Sequence, residues 1–294
     1  LVPTGYALTF GAFGLPELGA KGLGIASAVV MWFQAIALTL YLAKARRFRD
    51  YGLFSRFDPP RRAEIRELLA VGAPIGFTVL MEGSLFIFAS LLIGRLGEVP
   101  AAAHQIAINV ASLCFMIPLG LAEATTVRVG HAVGSGDSLG IRRAALAGFA
   151  VMLGTQAVTA TALILGRHSV VTLYSRDVAV GTLATGLIAY AAAFQFPDGA
   201  QVLSNGALRG LKDTRRPMLL AAVAYWGIGM SVGWYCTFRL DRGAAGVWIG
   251  LIAGLTAAAL FLLTRLYLRI RSLPRDIVGL SAANPENALE PVVH

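Results

Sequence analysis

The 294-residue chain carries 25 Lys and Arg against 16 Asp and Glu, a net charge of +9, with 56% hydrophobic and only 14% charged residues. Together with a mean hydropathy of +0.69, this excludes an ordinary soluble domain, about a quarter of whose residues are charged, and marks a multi-span membrane protein. The pI near 10.1 does not argue for nucleic acid, because the basic residues sit between apolar runs, where lipid headgroups and topology account for them.

Residues 1–14 read as the tail of an apolar run that opens at Leu1 with no initiator Met and no charged leader, so further sequence upstream is expected. Runs of bilayer length follow at about 22–43, 70–94, 101–127, 142–166, 178–205, 217–238 and 244–268, each near the roughly 20 residues a spanning helix needs. The fold class is therefore an all-α integral membrane protein. Pro74, Pro118 and Pro197 fall inside these runs, which helices packed among other helices tolerate.

Glu82 stands at the middle of the 70–94 run, with Thr78 and Phe86 one turn to either side. It is either a structural carboxylate bonded to a neighbouring helix or a functional one. On the 101–127 run Gln105, Asn109 and Ser112 share one stripe, which suits interhelical hydrogen bonding as well as it suits contact with a transported molecule. Glu123 and Arg128 end that run as an interfacial pair or a lobe-closing bridge. His104 and His131 read as interfacial polar groups, His168 as isolated, and Cys114 and Cys236 as small buried hydrophobes.

Asp198 lies near the middle of the 178–205 run. An Asp at that depth costs roughly 2.5–3.5 kcal/mol, so it faces a cavity or a partner rather than lipid. Pro197 removes a backbone donor beside it and frees carbonyls for an ion. Phe194 and Gln195 lie one turn before, Gln201 and Asn205 one and two turns after, which gives the helix a wet face. Phe86 and Phe194 offer ring faces to an organic cation, or simply pack.

If the run ends alternate sides, nineteen of the 25 Lys and Arg share one side, and Lys21, Arg95, Arg167, Arg176, Arg239 and Arg242 hold the other. The basic side is cytoplasmic by the positive-inside rule, and the C-terminus with it. Residues 271–294 read as a disordered cytoplasmic tail.

Gly19-Ala20-Lys21-Gly22-x-x-Ile25 opens one run, and Gly243-Ala244-Ala245-Gly246-x-x-Ile249 opens another 224 residues later, on the same side. Duplicated halves of one orientation imply an even number of spans in each. Residues 66–268 supply six, so about four spans, on the order of 160 residues, are expected before Leu1.

The stretches LLAVGAPIGFTVLMEGSLFIFASLLIGRLG (68–97), AAHQIAINVASLCFMIPLGLAEATTVRVGHAVGSGD (102–137) and AAAFQFPDGAQVLSNGALRGLKDTRRP (191–217) resemble the multidrug and toxic compound extrusion (MATE) family. The likeness is to its NorM-like branch, and FGLPELGAKGLGIASA (13–28) and GAAGVWIGLIAGL (243–255) resemble the same family's sixth and twelfth helix entrances. The resemblance implies two six-helix lobes around a central cavity. Residues 1–50 would be the last two helices of the N-lobe, 51–66 a cytoplasmic linker and 67–270 the complete C-lobe.

It also implies an inner-membrane antiporter, not an enzyme, that takes in Na⁺ or H⁺ and expels organic cations, with no other cofactor. A monomer among membrane lipids is expected. Glu82 and Asp198 match the C-lobe acidic pair of NorM-like members, implicated in coupling-ion and cation binding. Two carboxylates in one low-dielectric cavity repel each other and lose hydration, so a proton or monovalent cation relieves both costs and an organic cation competes for the same charge. Phe194 stands where several such members carry Tyr, which removes a hydroxyl and weakens a Na⁺ cage, since hard cations need several oxygens.

Two other readings compete. Gly134-Ser135-Gly136-Asp137 spells the G-x-G-D string of intramembrane aspartyl proteases, but Asp137 follows the end of a run and precedes Arg142 and Arg143, whereas an aspartyl dyad must sit together. A lipid-linked oligosaccharide flippase of the wider superfamily would line its cavity with Arg or Lys, and no run carries one at its centre.

Overall fold

The computed structural model describes residues 2–11, 14, 17–45 and 61–272, which form eight helices and no strand. The chain divides into two compact units, Leu1–Ile65 and Arg66–His294. Residues 46–60, most of the expected linker, and 273–294, nearly all of the expected tail, lie outside the described residues.

In the first unit α1 (Val2–Phe10) packs on α2 (Gly19–Lys44). Gly19 takes φ +53°, a left-handed turn open to glycine. Leu18 then donates its N–H to the Leu8 carbonyl at 3.1 Å, and a Cβ on Gly22 would collide with that same carbonyl.

The second unit holds α3 (Arg62–Gly94, whose first turn belongs to the first unit), α4 (Glu98–Gly134), α5 (Ser138–Tyr174), α6 (Val178–Gly210), α7 (Arg215–Phe238) and α8 (Gly243–Arg271). Seven of the eight helices, α2 to α8, are long and apolar enough to span a membrane. They coincide with the seven runs in the sequence. Each helix runs past its apolar stretch into polar caps, so the elements are longer than the runs. Asp137 caps α5 by accepting from the Gly140 N–H at 2.7 Å, and Asp177 caps α6 through the N–H groups of Ala179 and Val180 at 2.8 and 3.0 Å. The carboxylate of the G-x-G-D string is thus a helix cap.

α6 is the axis of the unit, in close backbone contact with α4, α5 and α8. The G-A-L-R-G string supplies the reason. A Cβ on Gly206 would stand 2.6 Å from the Ala122 carbonyl oxygen and one on Gly210 2.8 Å from that of Thr126. Because both are bare, Thr126 Oγ1 reaches the Gly206 carbonyl at 2.8 Å. On the other side α8 presents Gly246, Gly250 and Gly254 to Thr237, Gly233 and Gly229 of α7.

The entrance of α8 repeats that of α2. Gly243 has φ +55°, Arg242 donates its N–H to the Cys236 carbonyl at 3.1 Å, and a Cβ on Gly246 would stand 2.7 Å from the carbonyl carbon of Cys236. Two glycines three apart thus do the same two jobs in each unit, one turning the chain and one admitting the preceding helix.

α3 is the exception to this tight packing. Its backbone makes no extended approach within 8 Å to any described helix, yet Leu85, Ala89 and Ile93 are buried in the common core. Side chains bridge a wider gap there, and the gap positions the site.

Candidate functional site

Between α3, α4 and α6 lies a cavity of about 200 Å³, lined by Glu82, Phe86, Ile108, Ala111, Ser112, Phe115, Phe194 and Asp198. Glu82 is half-buried and accepts a hydrogen bond from the Gln201 amide nitrogen at 3.0 Å. Asp198 is 4% exposed, makes no hydrogen bond to a described residue, and has Oδ1 fully enclosed. A buried carboxylate oxygen without a donor is costly. Among the described residues, the only other polar side chain on the wall is Ser112, and no Arg or Lys lines it.

The site's walls are fixed from behind. Phe86 meets Phe194 edge-on at 6.0 Å between ring centres, Phe194 meets Trp248 at 5.8 Å, and Trp248 meets His104 at 5.9 Å. Both phenylalanines are therefore held by packing even as they line the cavity. His104 is 2% exposed, buried within the bundle six residues into α4, which begins at Glu98. Its Nε2 lies 3.0 Å from Ser90 Oγ. The same hydroxyl lies 3.0 Å from the Phe86 carbonyl.

Pro197 does not break α6, which runs unbroken through it. Nor is the Gln195 carbonyl free for an ion, since Gln156 of α5 donates to it at 2.7 Å while Thr159 donates to Gln195 Oε1 at 2.6 Å. The carbonyl that loses its helical donor to Pro197 is that of Ala193, four residues back.

Of the residues the sequence singled out, Glu82, Phe86, Phe194, Asp198 and Gln201 gather at the cavity. Thr78 is buried with its hydroxyl on the Pro74 carbonyl at 2.9 Å, and Gln195 faces α5. Gln105 and Asn109 are exposed on α4, and Asn205 is half-buried off the cavity. Ile108, Ala111 and Phe115 carry no signal in the sequence that marks them as cavity wall.

A larger, more open cavity of about 580 Å³ beside the α5–α6 turn involves His168, Arg176 and Asp177. Asp177 is spent on its cap there, and the cavity shares no residue with the carboxylate pair.

At the basic end of the unit, Glu123 pairs with Arg209 of α6 at 3.0 Å and not with Arg128. The helix places Arg128 on a different face from Glu123, five residues on. α6 closes by bonds from Lys212 N to Arg209 O and Asp213 N to Leu208 O, with Lys212 at φ +56°. This turn aims Asp213 at Arg265 of α8, 2.7 Å away, with both side chains mostly buried. Asp213→Asn is expected to cost about 1–2 kcal/mol, seen as a lower melting temperature in detergent. Glu67→Gln should change nothing measurable, because the Glu67–Lys212 pair is 3.8 Å apart and three-quarters exposed.

The MatE family profile matches residues 74–235. The chain is 62% identical over 262 residues to the probable multidrug resistance protein NorM of Xanthomonas campestris pv. campestris, covering 89% of this chain and 57% of that protein. The chain thus spans a little over half the length of that relative. Among solved structures, the eukaryotic MATE transporter AtDTX14 is similar with a TM-score of 0.81 at 21% identity, over 91% of this chain and 59% of that one. A MOP superfamily transporter from Pyrococcus furiosus, described as having a binding pocket of reverse polarity, is similar with a TM-score of 0.77 at 19% identity, over 92% of this chain and 61% of that one. Likenesses at these identities establish the fold, and the fold alone does not choose a cargo.

Proposed function

The chain belongs to the MatE family, as a NorM-like member of a family of multi-pass membrane transporters rather than enzymes, and from this premise we propose that it exports cationic hydrophobic compounds in exchange for H⁺ or Na⁺. One observation carries the reading: Glu82 and Asp198, from different helices, line one mid-bundle cavity walled by aromatic and aliphatic side chains. Aromatic rings and a carboxylate pair suit a hydrophobic cation, and the same charge draws a proton or Na⁺. The two guests exclude each other because each takes up the same negative charge and relieves the repulsion within the pair, and this exclusion is the exchange.

The acidic pair on this wall, with no Arg or Lys among its described lining residues, suits a cationic cargo better than an oligosaccharide–pyrophosphate. Gln105, Asn109 and Ser112 form an exposed polar stripe on α4, which fits an aqueous cleft leading to the cavity better than it fits lipid. Residues 67–270 act as the C-lobe, 1–50 as the end of the N-lobe and 51–66 as the linker between them, and transport proceeds by rocking one lobe against the other. The basic ends and the C-terminus lie in the cytoplasm, and the protein works as a monomer in the inner membrane.

The test uses the complete protein in liposomes loaded with ethidium, driven separately by an imposed Na⁺ gradient and an imposed pH gradient. One of the two drives dye movement against its own gradient. Dye movement indifferent to both removes the antiport reading.

A further inference from the structure

α3 carries Glu82 yet stands off from its neighbours, its backbone making no extended approach within 8 Å to any described helix. Apart from the exposed Glu67–Lys212 pair, two polar contacts tie it to other helices among the described residues. Glu82 meets Gln201 of α6 at 3.0 Å, and Ser90 meets Nε2 of His104 of α4, also at 3.0 Å. Glu82, Phe86 and Ser90 stand at i, i+4 and i+8 on one ridge, and each is met by a side chain of another helix, Gln201, Phe194 and His104 in turn. His104 closes a circuit. Its ring meets Trp248, Trp248 meets Phe194, and Phe194 meets Phe86, one turn from Ser90 on α3. A buried imidazole that takes no part in the cavity wall thus joins α3, α4, α6 and α8.

We propose that His104 is a positioning residue for the carboxylate pair: by holding Ser90 it fixes the rotation of α3, and with it the direction in which Glu82 and Phe86 enter the cavity. This rests on the reading of Glu82 and Asp198 as the coupling pair. Of the two polar ties, the one at Glu82 is open to competition, because a positive guest and the Gln201 amide want the same carboxylate. The tie at Ser90 lies about 12 Å further along the helix, off the wall, and outlasts the exchange. Without it α3 is held mainly by apolar contacts such as those of Leu85, Ala89 and Ile93, which are non-directional and leave rotation free. A turn of about 10° carries a side-chain tip roughly 6 Å from the helix axis through about 1 Å, enough to lose a hydrogen bond.

The test measures ethidium transport by the complete protein in liposomes at stepped concentrations of the driving ion, Na⁺ or H⁺, with melting temperatures taken in detergent. In His104→Phe, which keeps a ring against Trp248 but has no nitrogen for Ser90, the half-saturating concentration of that ion rises about fivefold, the scale of one net hydrogen bond, while the maximal rate holds. Ser90→Ala removes the other partner and gives the same rise. The double variant is no worse than either single one, because all three lose one shared contact. His104→Gln, whose amide ends as many bonds from Cα as Nε2 does, returns to within about twofold of wild type. A histidine that only supports the fold would lower the melting temperature and leave the half-saturating concentration where it was. That result overturns the proposal, and so does a double variant whose rise is the product of the single rises. If His104→Phe reaches the membrane poorly, Ser90→Ala decides alone. Glu82→Gln in the same assay separates the two levels. If Glu82→Gln transports like wild type, the carboxylate reading falls. If Glu82→Gln is inactive and Ser90→Ala is normal, only the positioning role of His104 is removed.

Discussion

Glu82→Gln and Asp198→Asn, each made in the complete protein, abolish resistance to cationic drugs while the amount of protein in the membrane stays at the wild-type level. The geometry keeps folding and function apart. Glu82→Gln retains an oxygen to accept from Gln201, and Asp198→Asn keeps the shape of a side chain that has no protein partner to lose. What each change removes is one of the two negative charges on the cavity wall. With one charge gone, the remaining carboxylate holds a single guest without the repulsion that drives exchange, so loss of at least about a hundredfold in transport is expected, the scale of a coupling interaction near 3 kcal/mol. Stability should move the other way. Asp198→Asn takes an undonated charge out of an enclosed site and is expected to stabilise the fold by on the order of 1–3 kcal/mol, read as a higher melting temperature in detergent. Full resistance in both variants, assayed by growth on a cationic drug with membrane quantities matched, would remove the coupling role.

Gly250→Leu leaves no folded protein to recover. A Cβ at Gly250 meets the Cα and N of Gly233 and the carbonyl oxygen of Gly229 at 2.6 Å, and these are backbone atoms with no rotamer to yield. α7 cannot swing away locally, because Gly246 and Gly254 hold it a turn to either side. Even Gly250→Ala should cost about 1–3 kcal/mol, the usual scale of overpacking, and Leu well beyond that. Size-exclusion profiles and melting temperatures in detergent check both. Gly120→Ala, where an added Cβ meets nothing within 4 Å, is the control and should melt at the wild-type temperature. A Gly250→Leu protein eluting and melting like wild type would mean that α7 and α8 do not pack as described.

The spans were legible in the sequence because the bilayer imposes one length and one polarity on every helix, and the structure sets seven helices on the seven runs. The repeat was legible as spacing, but its meaning was not. That Gly19 and Gly243 turn the chain, while Gly22 and Gly246 admit the preceding helix, emerges only from φ angles and contacts. The two carboxylates stood out because charge at mid-membrane is costly.

Their surroundings were harder to read. A helical stripe predicts direction to within a face, so it grouped Gln195 with Asp198, whereas α5 takes up Gln195 through Thr159. The Gln195 carbonyl is taken up by Gln156, 39 positions away and on another helix. Residues Val223–Met230 form a π-helical turn, which breaks the 3.6-residue period that sequence reading assumes.

The most direct measurement is a competition titration on purified complete protein, with binding of ethidium followed by fluorescence as Na⁺ or H⁺ is raised. The cavity described here predicts that at least one of these ions displaces the dye competitively in wild type, and that the displacement disappears in Asp198→Asn. Dye and ion binding independently, or displacement that persists when both Glu82 and Asp198 are neutralised, would contradict it.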